Sequence, residues 1–177
     1  PVSSLLQFSP EDLFSHRVRV SGVVTHAVMG EGFWIRSGPV GLRVRSLQSQ
    51  LLAVGDQVTV LGFLSRGEYS PVLEDAIFRK LAKLRRPEPL SLSSPQEALD
   101  HDQELVQLEA QLVEQWRVPD GCRVTLQADD KGFVAWLRLE GHQAVPRTWV
   151  TGSRVRVVGI CTVTAGAKEG TAAGTVD

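Results

Sequence analysis

Two stretches of this chain follow one pattern. Residues 55–63 read GDQVTVLGF and residues 152–160 read GSRVRVVGI. Each is a glycine, a polar pair, an alternating strand and a second glycine, 97 residues apart. The match extends upstream. Ser9-Pro10 is followed by Asp12, and Ser94-Pro95 by Glu97. A serine with an acid three residues on and proline at the first helical position is a helix-start signature, so each copy is expected to open with a short capped helix. VRVSGVVT in the first copy then answers VQLEAQLV in the second. A chain of 177 residues that repeats itself in this way folds as two small domains rather than one large one.

Hydrophobic alternation supplies the strands. In the first copy Val18, Val20 and Val23 alternate with polar residues, and Gly22 is the expected bulge. GFWIRSG (32–38) and VGLRVRS (40–46) form a hairpin across Gly38-Pro39. LQSQLLAVGD (47–56) places Leu47, Leu51 and Leu52 on one helical face, QVTVLGFL (57–64) is the next strand, and YSPVLEDAIFRKL (69–81) supplies the last, ending in a helical turn. Three strands, a short helix and two strands is the order of a five-stranded OB barrel.

The second copy offers LVQLEAQLVEQW (105–116), a hairpin of CRVTLQAD and GFVAWLRLE over Asp130-Lys131, and SRVRVVGICTV (153–163). HQAVPRTWVTG (142–152) stands where the helix would be, and the small-residue tail after Thr164 reads as too poor in strand formers to be a fifth strand. The expected fold is therefore all-β with short helices: two tandem OB-like barrels, the second lacking its fifth strand. The expected boundaries are 1–83, a Pro-rich linker with a capped helix at 84–100, and 101–177. VSSLLQF (2–8) is the best internal candidate to fill the gap. An open sheet edge would also invite a homo-oligomer.

The expected core is Val18, Val20, Phe33, Ile35, Leu42, Val44, Val58 and Val60, matched by Val106, Leu108, Val124, Leu126, Ala135, Leu137, Val155 and Val157. Outside it, alternation sets Arg17, Arg19, Trp34, Arg36, Arg43 and Arg45 on the outer surface of the first barrel. OB proteins bind single strands with stacking aromatics over a basic groove, so these six residues are the candidate ligand-binding set. The second copy offers Trp136 and Arg138 on its corresponding face. Against nucleic acid stands a net charge of −1, far from the basic balance of most such proteins.

No enzyme is expected. His16, His26, His101 and His142 lack metal-ligand spacing, no nucleophile elbow or phosphate loop is present, and no carboxylate pair stands out. No metal or cofactor is implied. Cys122 and Cys161 belong to no CxxC pair and are expected as free thiols. No apolar run approaches the roughly 20 residues that span a bilayer, and the start at Pro1 reads as that of a fragment or processed product.

Over about residues 16–163, VRVSGVVT, GFWIRSG, VGDQVTVLGF, YSPVLEDAIFRKL, LVQLEAQLVE and GSRVRVVGICTV resemble the extracytoplasmic tandem OB-like region of bacterial membrane sensors of the histidine kinase or diguanylate cyclase type. The resemblance implies a periplasmic, non-catalytic module for sensing or signal transduction, with an unknown ligand or protein partner. The alternative is an oligonucleotide-binding OB module.

Overall fold

The computed structural model describes residues 16–119, 121–138 and 149–164, together with the backbone of 171–176. The chain divides into two compact units, Pro1–Glu88 and Pro89–Asp177, each described by itself. The helix expected after Ser9 and the segment 2–8 lie outside the described residues, as does most of 142–152.

The first unit holds β1 (Arg17–Val28), β2 (Gly32–Ser37), β3 (Val40–Val44), β4 (Asp56–Ser65) and β5 (Val72–Lys83). They close in the order β1-β2-β3-β5-β4, with β3 and β5 parallel and β4 returning to β1. That is the OB circuit. The long β1 serves both sides of the barrel. Arg17–Val23 pairs with β4, and Val23–Val28 pairs with β2. Gly22 marks the crossover, where a Cβ would lie 2.7 Å from the Arg36 carbonyl oxygen. The bulge sits further on, between Val24 and His26, so Gly22 serves close approach rather than an extra residue. Beyond the bulge the in–out phase of β1 shifts by one.

All eight expected core residues of this copy pack together, Val18 at the margin, joined by Val24, Leu73, Ala76 and Phe78. Burying each large side chain stabilises the barrel by about 1.5–3 kcal/mol. Two local expectations fail. Residues 47–53 carry no helix. Only Leu52 of the expected apolar face packs on the core, while Leu47 is 99% exposed and Leu51 also faces solvent. Segment 45–48 instead runs beside β5, where Arg45 trades backbone hydrogen bonds with Leu73 and Ala76 and the Gln48 amide oxygen accepts from the Phe78 N–H. Those bonds hold the chain leaving β3 alongside β5. The end of β5 stays extended to Lys83 because β4 pairs with it throughout.

The second unit holds β6 (Leu90–Ser91), a 3-10 turn (Glu97–Asp100), β7 (Leu105–Val118), β8 (Gly121–Ala128), β9 (Lys131–Arg138), β10 (Arg154–Thr162) and β11 (Thr171–Val176). The ring β7-β8-β9-β11-β10 closes through the β10–β7 pairing, and β6 lies parallel to β7. The fifth strand is therefore present, and the open edge expected from its absence, with the oligomer it would invite, loses its premise. TAAGTV pairs parallel with β9 and antiparallel with β10. Strand propensity mostly measures side-chain packing, and a segment with a ladder on each side is held by its backbone instead. The eight expected core residues of this copy are all buried, with Leu112, Phe133 and Val163.

The start of this unit departs from the expected capping box. The turn begins after Gln96 without a side-chain cap, and Glu97 reaches back to accept the Ser93 N–H at 2.9 Å. Ala98 and Leu92 complete the floor of the core. Among the described residues no helix is long and apolar enough to cross a membrane.

Candidate functional site

The six residues singled out in the first barrel divide into two groups: Arg17 and Arg19 stand beside β4, while Trp34, Arg36, Arg43 and Arg45 lie on β2, on β3 or just after it. The crossover at Gly22 is the reason. Arg17 and Arg19 lie on the half of β1 that pairs with β4, opposite Phe63 and Leu61. They are seven or more residues from His26, which stands beside Trp34. Arg17 rests over the Phe63 ring at 5.1 Å and pairs with Asp75 at 3.5 Å. Arg36 donates to the Glu88 carbonyl at 2.8 Å, and Arg45 pairs with Glu74 at 3.0 Å.

Trp34 is the centre of a row across three strands: His26 on β1, Trp34 on β2, Arg43 on β3. The His26 ring lies 5.3 Å from the indole and the Arg43 guanidinium 5.1 Å from it. Trp34 is 7% exposed. Burial and the nearby Arg45 lower the Arg43 pKa, with Glu31 and Glu74 opposing. An arginine stays charged through such a shift, so the row is a covered cation–π stack. It has little indole face to offer a ligand.

The second barrel presents an open row. Trp116 on β7 is paired with Arg123 on β8, and Arg123 with Trp136 on β9. Directly opposed residues on adjacent strands hold their Cβ atoms ~5 Å apart, so the row spans about 10 Å. The Arg123 guanidinium lies 5.9 Å from the Trp136 ring. Trp116 is 58% exposed and Trp136 43%. Thr125 and Gln127 continue the same face along β8, and Arg138 stands one row beyond, opposite Gly121. The local fold sets this row at the tip of the β7–β8 hairpin. Gly121 permits it, since a Cβ there would meet the Leu137 carbonyl oxygen at 2.0 Å.

Alternation around the expected core residues Val124, Leu126, Ala135 and Leu137 places Arg123, Trp136 and Arg138 on this face, although Arg123 was not singled out, but it does not place Trp116 there. Counted from the buried Leu108, Ala110 and Leu112, strict alternation would turn Trp116 inward. A bulge between Leu112 and Glu114 shifts the phase, and Trp116 points out. The available signal was Glu114, a charge at the position where alternation from Leu108, Ala110 and Leu112 calls for an apolar residue.

The thiols take no part in either row. Cys122 and Cys161 are buried and unpaired. Burial, with Asp102 and Glu104 nearby, pushes Cys161 up to about 12, and its Sγ donates to the Ala98 carbonyl. Burial also raises Cys122. A thiol so disposed is inert. Among the described residues no cluster of histidines, cysteines and carboxylates could hold a metal ion.

No protein-family model matches this chain, and no curated protein does. Solved structures with a similar course of chain include the Ifi202 HINa domain in complex with 20-bp double-stranded DNA, at 9% identity, covering 92% of this chain and 96% of that one, TM-score 0.46. A murine DNA-binding protein bound to double-stranded DNA gives 6% identity, 90% and 97% coverage and a TM-score of 0.47. A deletion mutant of the single-stranded DNA-binding protein from Thermus aquaticus gives 14%, 91% and 92%, with a TM-score of 0.30. The OB topology stated above rests on strand order and pairing, not on these superpositions.

Proposed function

We propose that this chain is a non-catalytic OB module that binds single-stranded nucleic acid on the outer face of β7, β8 and β9. One observation carries the reading: two exposed indoles flank an arginine in a single cross-strand row. Every base has a π-face, and stacking on an aromatic side chain contributes about 1–3 kcal/mol per base. Arg123 stands between the two indoles, within reach of a phosphate linking two stacked bases. A duplex keeps its base faces stacked on one another, so only an unpaired strand can use both tryptophans. The sensory role favoured by the sequence rests on resemblance alone, whereas this reading rests on a surface.

The charge balance fixes the character of the binding. With a net charge of −1 there is no long-range attraction, so stacking provides most of the affinity. One or two phosphate contacts give a salt slope of about −0.7 each on a single strand. Titration of the chain with oligothymidine, followed by tryptophan fluorescence, should show saturable quenching. Trp116→Ala and Trp136→Ala should each weaken binding by about 1–3 kcal/mol. No saturable binding at physiological salt, or unchanged affinity in both variants, would overturn the assignment.

A further inference from the structure

The first barrel carries a second outer surface that the nucleic-acid reading does not use. On β1, β4 and β5 the register sets three rows side by side: Arg17–Phe63–Glu74, Arg19–Leu61–Ile77 and Ser21–Thr59–Arg79. The first row is internally neutralised, with Arg17 on Asp75 and over Phe63, and Glu74 on Arg45. In the third, Ser21 and Thr59 share a hydrogen bond of 2.9 Å. What remains is an aliphatic strip, Leu61 half-buried and Ile77 49% exposed, with exposed Arg19 and Arg79 at opposite corners. Neither arginine forms an ion pair among the described residues.

Isolated surface aliphatics need no explanation. Here they are contiguous across two strands and bracketed by two cations without counter-charges. We propose that this face docks an acidic segment of a partner protein, in extended form, with the pattern acid-x-aliphatic-x-acid. The spacing decides the pattern. Two strand separations and two residues along the sheet place Arg19 and Arg79 about 12 Å apart, and four residues of extended chain span about 13 Å. Carboxylates at the first and fifth positions then meet the arginines, and the third side chain, on the same face, meets Leu61 and Ile77. A nucleic-acid strand fits less well. The aliphatic strip offers no ring to stack on, and the one aromatic nearby, Phe63, lies under Arg17.

The test uses the full chain and three labelled probes followed by fluorescence anisotropy: a peptide containing Glu-Ser-Leu-Ser-Glu, its Lys-Ser-Leu-Ser-Lys counterpart, and oligothymidine. The acidic peptide should bind saturably and the basic one should not. Ile77→Ser and the double variant Arg19→Glu with Arg79→Glu should each weaken the acidic peptide roughly tenfold or more, while Trp116→Ala leaves it unchanged. Because the double variant reverses the charge, it should gain affinity for the lysine peptide, a result no unfolded protein would give. Equal binding of both peptides, no saturable binding of the acidic one, or affinity unaltered by Ile77→Ser would overturn the proposal. So would oligothymidine binding that is lost in the double variant and kept in Trp116→Ala.

Discussion

In the first barrel Gly55 donates its N–H to the Val24 carbonyl at 2.8 Å, and the Asp56 carboxylate folds back to accept the Ala53 N–H. In the second, Gly152 donates to Leu112 at 2.8 Å, and the Ser153 hydroxyl folds back to accept the Val150 N–H. Val24 and Leu112 each stand immediately before the bulge of a first strand. The repeated glycine and its polar neighbour are thus one device used twice: a positive-φ turn, 91° in both copies, that ties the fourth strand to the bend of the first. What the two copies place on that frame differs. Counted in register from the bulge, the covered row His26–Trp34–Arg43 corresponds to Glu114–Thr125–Val134. The exposed row Trp116–Arg123–Trp136 corresponds to Val28–Gly32–Arg45. The backbone devices are duplicated while the outer rows are not, so the two tryptophan sites do different things: one holds its own barrel together and the other faces solvent.

Substituting Trp34 tests that division most severely. Trp34→Ala empties a covered site and should cost the first barrel about 3 kcal/mol. Hydrogen exchange resolved by barrel should show the loss confined to residues 17–83, with oligothymidine affinity unchanged. Lost affinity with intact stability would instead return the site to the first barrel.

Asp56 comes next. Its counterpart Ser153 makes the same turn without a charge, but Asp56 is fully buried, with the Lys80 and Lys83 ammonium groups at 2.8 and 3.2 Å. Burial alone would raise its pKa. The hydrogen bonds from Lys80, Ala53 and Lys83 outweigh that and hold it below the ordinary 3.8. A carboxyl with a depressed folded pKa binds fewer protons in the folded state than in the unfolded one. Its stabilising contribution is therefore complete above the unfolded value and disappears as pH falls through the folded one. Asp56→Ala should destabilise the first barrel by about 2–3 kcal/mol at neutral pH, the lysines escaping to water. Ser153→Ala should cost the second barrel less than about 1 kcal/mol. Between pH 5 and 2, roughly the range over which such a carboxyl titrates, the wild-type first barrel should lose stability more steeply than the Asp56→Asn variant. Parallel curves would mean that the lysine pair contributes nothing.

Much of this was legible in the sequence because burial on one face writes itself as alternation. Val58 and Val60, or Val155 and Val157, can be placed without coordinates. What escaped were features decided by neighbours in space. Leu47 and Leu51 keep helical spacing, yet hydrogen bonding to β5 holds the adjoining segment extended. TAAGTV has no strand signature, yet two ladders hold it. The bulge after Leu112 turned Trp116 outward and hid half of the platform from an alternation count.

A finer difference separates the two copies of the turn glycine. Both Gly55 and Gly152 sit at a φ of 91°, where an L side chain costs about 1 kcal/mol. Their surroundings differ. A Cβ on Gly55 would lie 2.8 Å from the Leu84 carbonyl oxygen, backbone that is itself held by the Leu84 N–H to the Gly55 carbonyl. A Cβ on Gly152 would meet only the end of the Gln111 side chain at 3.7 Å, an ordinary contact. Gly152→Ala should therefore cost conformational strain alone. Gly55→Ala should cost that strain plus a displacement of the chain leaving β5, a further loss of about 1 kcal/mol or more. Urea unfolding of the two variants, with exchange resolved by barrel, measures the difference. Equal losses would mean that residues 84–85 yield freely and that the first barrel does not depend on the exit of its last strand.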